Sequence, residues 1–527
     1  MISFKAKFSD KPNSSSLKPK IPKMPIPLFN SIASWLLKKR YHQIELFLKY
    51  PGEVQEEVLH QLLDIAEDTE IGKQYGFESI TNYETFRSRL PIVSYEEIEP
   101  MIERTRKGEQ NVFWPTSIKW FAKSSGTTNA KSKFIPVSEE ALEDCHFKSG
   151  KDMLCLYLNN NENSQLFTGK GLRLGGSKEL YEDNGSFFGD LSAILIDNMP
   201  LWAELSSTPG SKVSLMSEWE KKLPAIIHES TQEKVTSLSG VPSWMLVLLN
   251  GVLEQTGKEN LFEVWEHLEV YFHGGVSFNP YKEQYRKLLP GHQFKYYEIY
   301  NASEGFFAIQ DRNDANDLLL MLDYGIFYEF IPMDEYGTPK QKAIPLWEVK
   351  LDTNYAIVIT TNAGLWRYKI GDTVRFTSIS PYRIKVTGRT KHHINVFGEE
   401  LIIENAEEAL KNICVKTGAE IKDYTAGPIF MAGKEKGAHE WIIEFRKRPA
   451  DLNYFTEFLD TALKSLNSDY EAKRHNNTTL KMPTVHAARE NLFYDWLKSK
   501  DKLGGQHKIP RLSNKRDYIE ELLRMNG

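Results

Sequence analysis

Three cysteines in 527 residues, Cys145, Cys155 and Cys414, are too few and too scattered for a disulfide framework or a Cys-x-x-Cys metal site. That scarcity fits a reducing, cytoplasmic compartment. Long apolar runs are missing too, and none approaches the length that a membrane span needs. The opening MISFKAKFSDKPNSSSLKPKIPKMP scatters lysines and prolines without an apolar centre, so it is not expected to be a secretory signal. No charge of one sign dominates: 66 Lys and Arg stand against 71 Asp and Glu, a net charge of −5. A balance so near neutral gives no footprint for nucleic acid. No internal repeat is visible.

What remains is an ordinary globular composition on a chain long enough for roughly two to four domains. Residues 1–28 are expected to be partly disordered. In 29–66 the apolar residues Ile32, Trp35, Leu36, Ile44, Leu46 and Phe47 recur at helical spacing, and Pro51 divides them into two helices. The basic, apolar stretch 28–51 reads as a helix packed on its own domain rather than one lying on a membrane. Helical and strand-like patterns then alternate to about residue 295, which marks an α/β domain. After 318 come short runs rich in β-branched and aromatic residues, GIFYEFIP, YAIVITT, RYKIGDTVRF and RIKVTGR. They predict an antiparallel sheet or small barrel over about 318–390, beside the α/β core. The pattern alternates again beyond 390. The expected division is a large domain over 29–390 and a smaller α+β domain over 391–527, with a polar interface between them as moving domains have.

Five segments carry chemistry. WFAKSSGTTNAKSKFIPVS, starting at Trp120, packs hydroxyls around a glycine and adds lysines. Such a loop offers backbone N–H groups, hydroxyl donors and a cation, which suits a phosphate, although a polar turn between strands has the same composition. YNASEG, starting at Tyr300, follows a strand and puts Glu304 at its end, where a carboxylate suits Mg²⁺ beside phosphates and Tyr300 can stack on a base. A core tyrosine and an exposed glutamate are the bland alternative. In WRYKIGDTVRF, Gly371 permits a tight turn and Asp372 ends it, placed to accept two ribose hydroxyls. TGRTKHHINVFGEE follows, where Arg389 can reach a ribose or phosphate. His392 and His393 are neighbours on a strand and point to opposite faces, which argues against a shared metal. GGQHKIPRL places Lys508 behind paired glycines, and a lone lysine is ordinarily a solvated charge.

Taken in order, these segments resemble the adenylate-forming enzymes, the superfamily of acyl-CoA synthetases, luciferases and peptide-synthetase adenylation domains. Within it, SSGTTNAKSKFIP, YNASEG, RYKIGD and QHKIPR are similar to the auxin-responsive acyl-acid amido synthetases, the Gretchen Hagen family, in its bacterial type. The likeness runs from about Trp35 to Leu512. It implies an adenylate-forming fold: a large N-terminal α/β domain with an antiparallel β subdomain, and a small mobile C-terminal domain. It implies that Ser124, Ser125, Gly126, Thr127, Thr128 and Lys133 cradle the phosphates of ATP. By the same resemblance Tyr300 lies against adenine beside Ser303, Glu304 holds Mg²⁺, and Asp372 binds the ribose with help from Arg389. Lys508 enters from the C-terminal domain. The implied partners are a small carboxylic acid and an amine, an amino acid by preference, with no membrane span and no nucleic acid.

The chain departs from the pattern in places. Ala130 replaces a glycine usual in the first loop, and GRTKHH lacks the paired aspartates of acyl-CoA synthetases, with Lys391 where their hinge lies. The core motifs do not separate an amine acceptor from a thiol. A nucleotide-binding homologue without activity is opposed by Glu304, Asp372 and Lys508 occurring together. A serine hydrolase is opposed by Ser243, which sits in GVPSW rather than a G-x-S-x-G elbow. The walls for the acid are expected in 169–179, after Asp197, and in 239–244, with Trp244 itself more in keeping with a core residue.

Overall fold

The computed structural model describes residues 39–124, 133–175, 180–216, 219–275, 278, 281–291, 293–390, 393–399, 401–432, 435–477, 479–499 and 510–527. The two helices expected around Pro51 form over 39–49 and Pro51–Ala66, with the proline in the first turn, where its missing N–H costs nothing.

One 12-stranded sheet organises the large part. Its first half is parallel: Ser207–Thr208, Lys170–Arg173, Val235–Gly240, Val270–Gly274 and Lys295–Ala302 lie side by side. Helical crossovers connect them, and each must cover an apolar sheet face. Pro242–Thr256 is such a crossover. Proline opens it, and Gly257 at φ +67° closes it, its N–H donating to the Leu253 carbonyl. Every residue of Val270–Gly274 is buried, as a central parallel strand requires.

The other half of the sheet is antiparallel. From Lys295–Ala302 it continues through Gly305–Ile309, Leu318–Leu320, Tyr382–Arg389, Tyr368–Ile379, Asn354–Thr361 and Ile326–Pro332. The antiparallel strands expected after 318 therefore extend the α/β sheet instead of closing a barrel beside it. The reason is the hairpin at 302–305, which keeps the next strand hydrogen-bonded to the last parallel one. A second sheet of four strands holds the hairpin Trp120–Ser124 and Lys133–Val137.

The C-terminal part has its own three-stranded sheet, Glu420–Ile429, Ala438–Lys447 and Thr484–Ala487. Alternation along Ala438–Lys447 serves two layers. Trp441 and Ile443 face Phe455, Leu459 and Leu463 of the helix Leu452–Leu466, while Ile442 faces Leu492, Trp496 and Ile519.

A polar boundary was expected between the two parts, and the structure forms something different. One buried apolar cluster runs from Leu172, Leu238 and Tyr281 across to Val396, Phe397 and Trp441. At that seam the Tyr281 hydroxyl donates to the Val396 carbonyl at 2.8 Å, and the Gln284 amide to the Met431 carbonyl at 2.5 Å.

Candidate active site

The hairpin Lys295–Ala302 to Gly305–Ile309 turns on two residues, Ser303 and Glu304, at the join between the parallel and antiparallel halves. This is where strand direction reverses, and the space beyond strand ends is open there. A cleft of about 2200 Å³ occupies it, running between the large and C-terminal parts. Tyr300, Ser303, Glu304, Asp372, Arg389 and Lys133 all line this one cleft although the sequence spreads them over 257 positions.

Asp372 does not end a tight turn, as the Gly-Asp pair suggested. It lies inside the strand Tyr368–Ile379, within a bulge. Against the neighbouring strand the register passes from Ala356↔Thr373 to Val358↔Lys369, so the three residues 370–372 stand against Ile357 alone. Gly371 absorbs the kink at φ +89°, a conformation other residues adopt at a cost. The bulge turns the Asp372 carboxylate toward the hairpin. There the Tyr300 hydroxyl donates to its Oδ2 at 2.7 Å and Arg389 Nε to its Oδ1 at 3.0 Å. Each oxygen keeps a further lone pair for a ligand hydroxyl. Tyr300 is 8% exposed, with its ring packed on Phe307 at 4.9 Å, so it is fixed at both ends.

Burial pushes the Glu304 carboxyl above its usual range, and Asp372 adds to this, while Lys133 and Arg389 oppose it. The Tyr368 hydroxyl stands 3.5 Å from Glu304 Oε1. Lys133 holds its Nζ 5.5 Å from the Tyr95 ring centroid, and the Tyr95 hydroxyl accepts from the neighbouring Phe134 N–H. Ser124 pairs with Lys133 across the hairpin, and both Lys123 and Lys133 line the cleft, so the connecting loop starts and ends at its edge. Ser125, Gly126, Thr127 and Thr128 lie outside the described residues, as do Lys391, His392 and Lys508; of Ser124 and His393 only the backbone is described.

Among the described residues no group of three or more His, Cys, Asp or Glu converges as a metal cage. A single buried carboxylate beside a lysine fits the other mode, in which Mg²⁺ keeps waters and takes its remaining oxygens from phosphates.

Other residues of the site escaped the sequence reading. Arg367 has φ +46° and is held by Glu329 through two bonds of 2.9 and 2.7 Å and by the carbonyls of Arg87 and Leu90. It fixes the entry to Tyr368, and the signal was an arginine inside a quoted motif. Trp244 is not a core residue. It stands half-buried on the cleft wall with Lys473 Nζ 4.8 Å from its ring centroid. The helix it opens has its N-terminus at the cleft, so its first turn faces the cavity rather than the core. Lys473 reaches in from the helix Ser468–Arg474 of the C-terminal part, and no motif announced it.

The N-terminal domain of the GH3 family matches residues 40–294, its central domain 319–389 and its C-terminal domain 404–517. The chain belongs to the GH3 family. The indole-3-acetic acid-amido synthetase GH3.3 of Arabidopsis thaliana is a GH3 relative at 21% identity, over 87% of this chain and 89% of its own length. The jasmonoyl-L-amino acid synthetase JAR4 of Nicotiana attenuata is 24% identical over 63% of this chain and 68% of its own. In fold, the GH3 chain superposes on the AtGH3.15 acyl acid amido synthetase in complex with 2,4-DB. The TM-score is 0.61 at 17% identity, covering 96% of this chain and 97% of that one. The shared fold is a large α/β part with a smaller C-terminal part.

Proposed function

We propose that this GH3 protein adenylates a carboxylic acid with ATP and passes the acyl group to an amine, an amino acid by preference, releasing pyrophosphate and AMP. The observation that carries the reading is the single cleft that joins Glu304 and Lys133 to the Tyr300–Asp372–Arg389 cluster. A phosphate site and a ribose site on opposite sides of one hairpin fit one nucleotide.

Asp372 accepts the ribose hydroxyls, held in place by Tyr300 and Arg389. Tyr300 offers its ring edge to the base. Lys133, with the hydroxyl loop 124–128, neutralises phosphate charge, and Ser303 supplies a further hydroxyl at the hairpin tip. Glu304 would hold Mg²⁺, which supplies charge neutralisation on the phosphates when bound. The acid's carboxylate attacks the α-phosphorus, so charge grows on phosphoryl oxygens, and catalysis is a matter of placement and fixed positive charge. Lys508 is assigned to this step, and the C-terminal part, taken as 391–527, turns between the two half-reactions. That rotation has to part the apolar seam at Tyr281 and Val396.

None of the three cysteines is in a disulfide, and among the described residues no helix is long and apolar enough to cross a membrane. The compartment proposed is the cytoplasm. A thiol acceptor is the competing reading. Incubation with an active acid and ATP, and then with CoA or a mixture of amino acids, separates the two: amide formation supports the proposal, and thioester formation alone refutes it. A panel of acids that yields no pyrophosphate exchange refutes adenylation altogether.

A further inference from the structure

The far wall of the cleft holds a guanidinium that meets no opposite charge among the described residues. Arg173 ends the parallel strand Lys170–Arg173, and its side chain lines the cavity. The contact made by its guanidinium is Nη1 donating to the Met199 thioether at 3.3 Å, a weak acceptor. Burial draws its pKa down, and among the described residues no carboxylate acts on it. Asp190 lines the same cleft; burial pushes its carboxyl up, and Lys473, Lys123 and Lys222, rather than Arg173, favour its charge. An ion removed from water without a partner is costly, and such a charge persists where a ligand supplies the counter-charge.

The surroundings are aromatic. Trp244 stands on the same wall, and His273 stacks on Phe278 at 4.2 Å between centroids. His273 is 3% exposed, and its buried Nδ1 has no partner. Its pKa is drawn down by burial to about 3, so it is a neutral ring that offers a hydrogen bond and no charge. Arg173 lies three strands from the strand that carries the Glu304 hairpin, about 14 Å across the sheet.

We infer that Arg173 determines the choice of acid: the substrate is an elongated, partly aromatic acid with a second anionic group, which binds Arg173 while the first carboxylate reaches the phosphates. The assignment rests on the adenylation reading for its chemistry but not for its binding geometry. An amino-acid acceptor also carries a carboxylate. Its docking on Arg173 is disfavoured because the guanidinium lies deep on the far wall, away from the hairpin where the acyl carbon sits.

The test uses 4-phenylbutanoate and 4-(4-carboxyphenyl)butanoate, which share one body and differ in the distal charge. In wild-type protein the diacid is expected to give the higher kcat/KM in acid-dependent pyrophosphate exchange. In Arg173→Leu the ratio of diacid to monoacid should fall by about tenfold to a hundredfold, the range for losing a charge-assisted pair. Arg173→Lys should recover part of it, since a lysine keeps the charge without the planar fork. Using the ratio removes any general loss of activity. Calorimetric binding of both acids repeats the comparison without turnover. If neither acid supports exchange but the diacid still binds Arg173-dependently, adenylation is refuted and the assignment stands. Equal selectivity in wild type and Arg173→Leu overturns the assignment, as does a variant whose only change is a raised KM for the amino acid.

Discussion

Tyr300 lies on the strand that enters the hairpin turn and Glu304 within the turn, yet burial acts on them to different ends. Tyr300 uses its hydroxyl to orient Asp372. Glu304 takes a bond from its own backbone N–H but is held where burial disfavours its charge. Glu304→Gln should therefore lower pyrophosphate exchange by roughly 10²–10³-fold, as expected for one preorganised electrostatic partner. The same change should raise the melting temperature near neutral pH. A carboxyl whose folded pKa lies above its unfolded one destabilises the fold once pH exceeds the unfolded value, and the penalty is complete above the folded value. The stability gap between variant and wild type should close as pH falls below the unfolded carboxylate range. Thermal melts at several pH values check this, and a variant less stable than wild type at pH 7 contradicts the account. Tyr300→Phe removes one hydrogen bond and little packing. Its KM for ATP should rise several-fold, in line with about 1 kcal/mol, with kcat nearly kept; a loss confined to kcat would remove Tyr300 from nucleotide positioning.

At the scale of elements, the left-handed Arg367 and the bulge at 370–372 together shape the start of one strand. Arg367 is 4% and Glu329 1% exposed, and the Tyr83 hydroxyl also donates to Glu329 at 2.8 Å. Arg367→Met leaves a buried carboxylate unpaired, and the cost should be about 3–5 kcal/mol. Adding Glu329→Gln should return much of it, because the remaining group is then neutral and Tyr83 can still donate. Denaturant titration of the single and double variants measures this, and strictly additive losses would show that the pair is not coupled. The sequence made part of this level legible. The parallel crossovers and the later strands announce themselves by period and by turn residues, and the residue types at 300–304 and 366–372 pointed to the cleft. The bulge was not legible, since Gly-Asp marks turns and bulged strands alike, and the difference lies in long-range pairing to Asn354–Thr361. Trp244 was misjudged because a tryptophan beside a proline reads the same on a core face and a cleft face. The apolar seam was hidden for a related reason: Tyr281 and Phe397 look like core residues of their own parts.

Taken whole, the molecule closes its cleft with side chains from both parts, and Lys473 at Trp244 is the visible example. If the C-terminal part alternates, Lys508 serves one half-reaction. Lys508→Ala should lower acid-dependent ATP–pyrophosphate exchange by roughly 10²–10³-fold. It should transfer a preformed acyl-adenylate to an amine at a rate near that of wild type. Equal loss in both halves with the fold intact would reject alternation, and the apolar seam would then be a permanent core.

The strand Lys295–Ala302 divides labour between the two halves of the sheet. The residues proposed to hold the nucleotide come mostly from the antiparallel side and its hairpin, whereas the far wall comes from the ends of parallel strands. Descendants of one ancestor can thus drift in appetite for acids while inheriting the same nucleotide grip. A chimera that takes residues 169–294 from another family member should acquire the donor's acid preference and keep the recipient's KM for ATP, both read from pyrophosphate exchange. Selection has one region to vary and another to leave alone, with a single strand as the border.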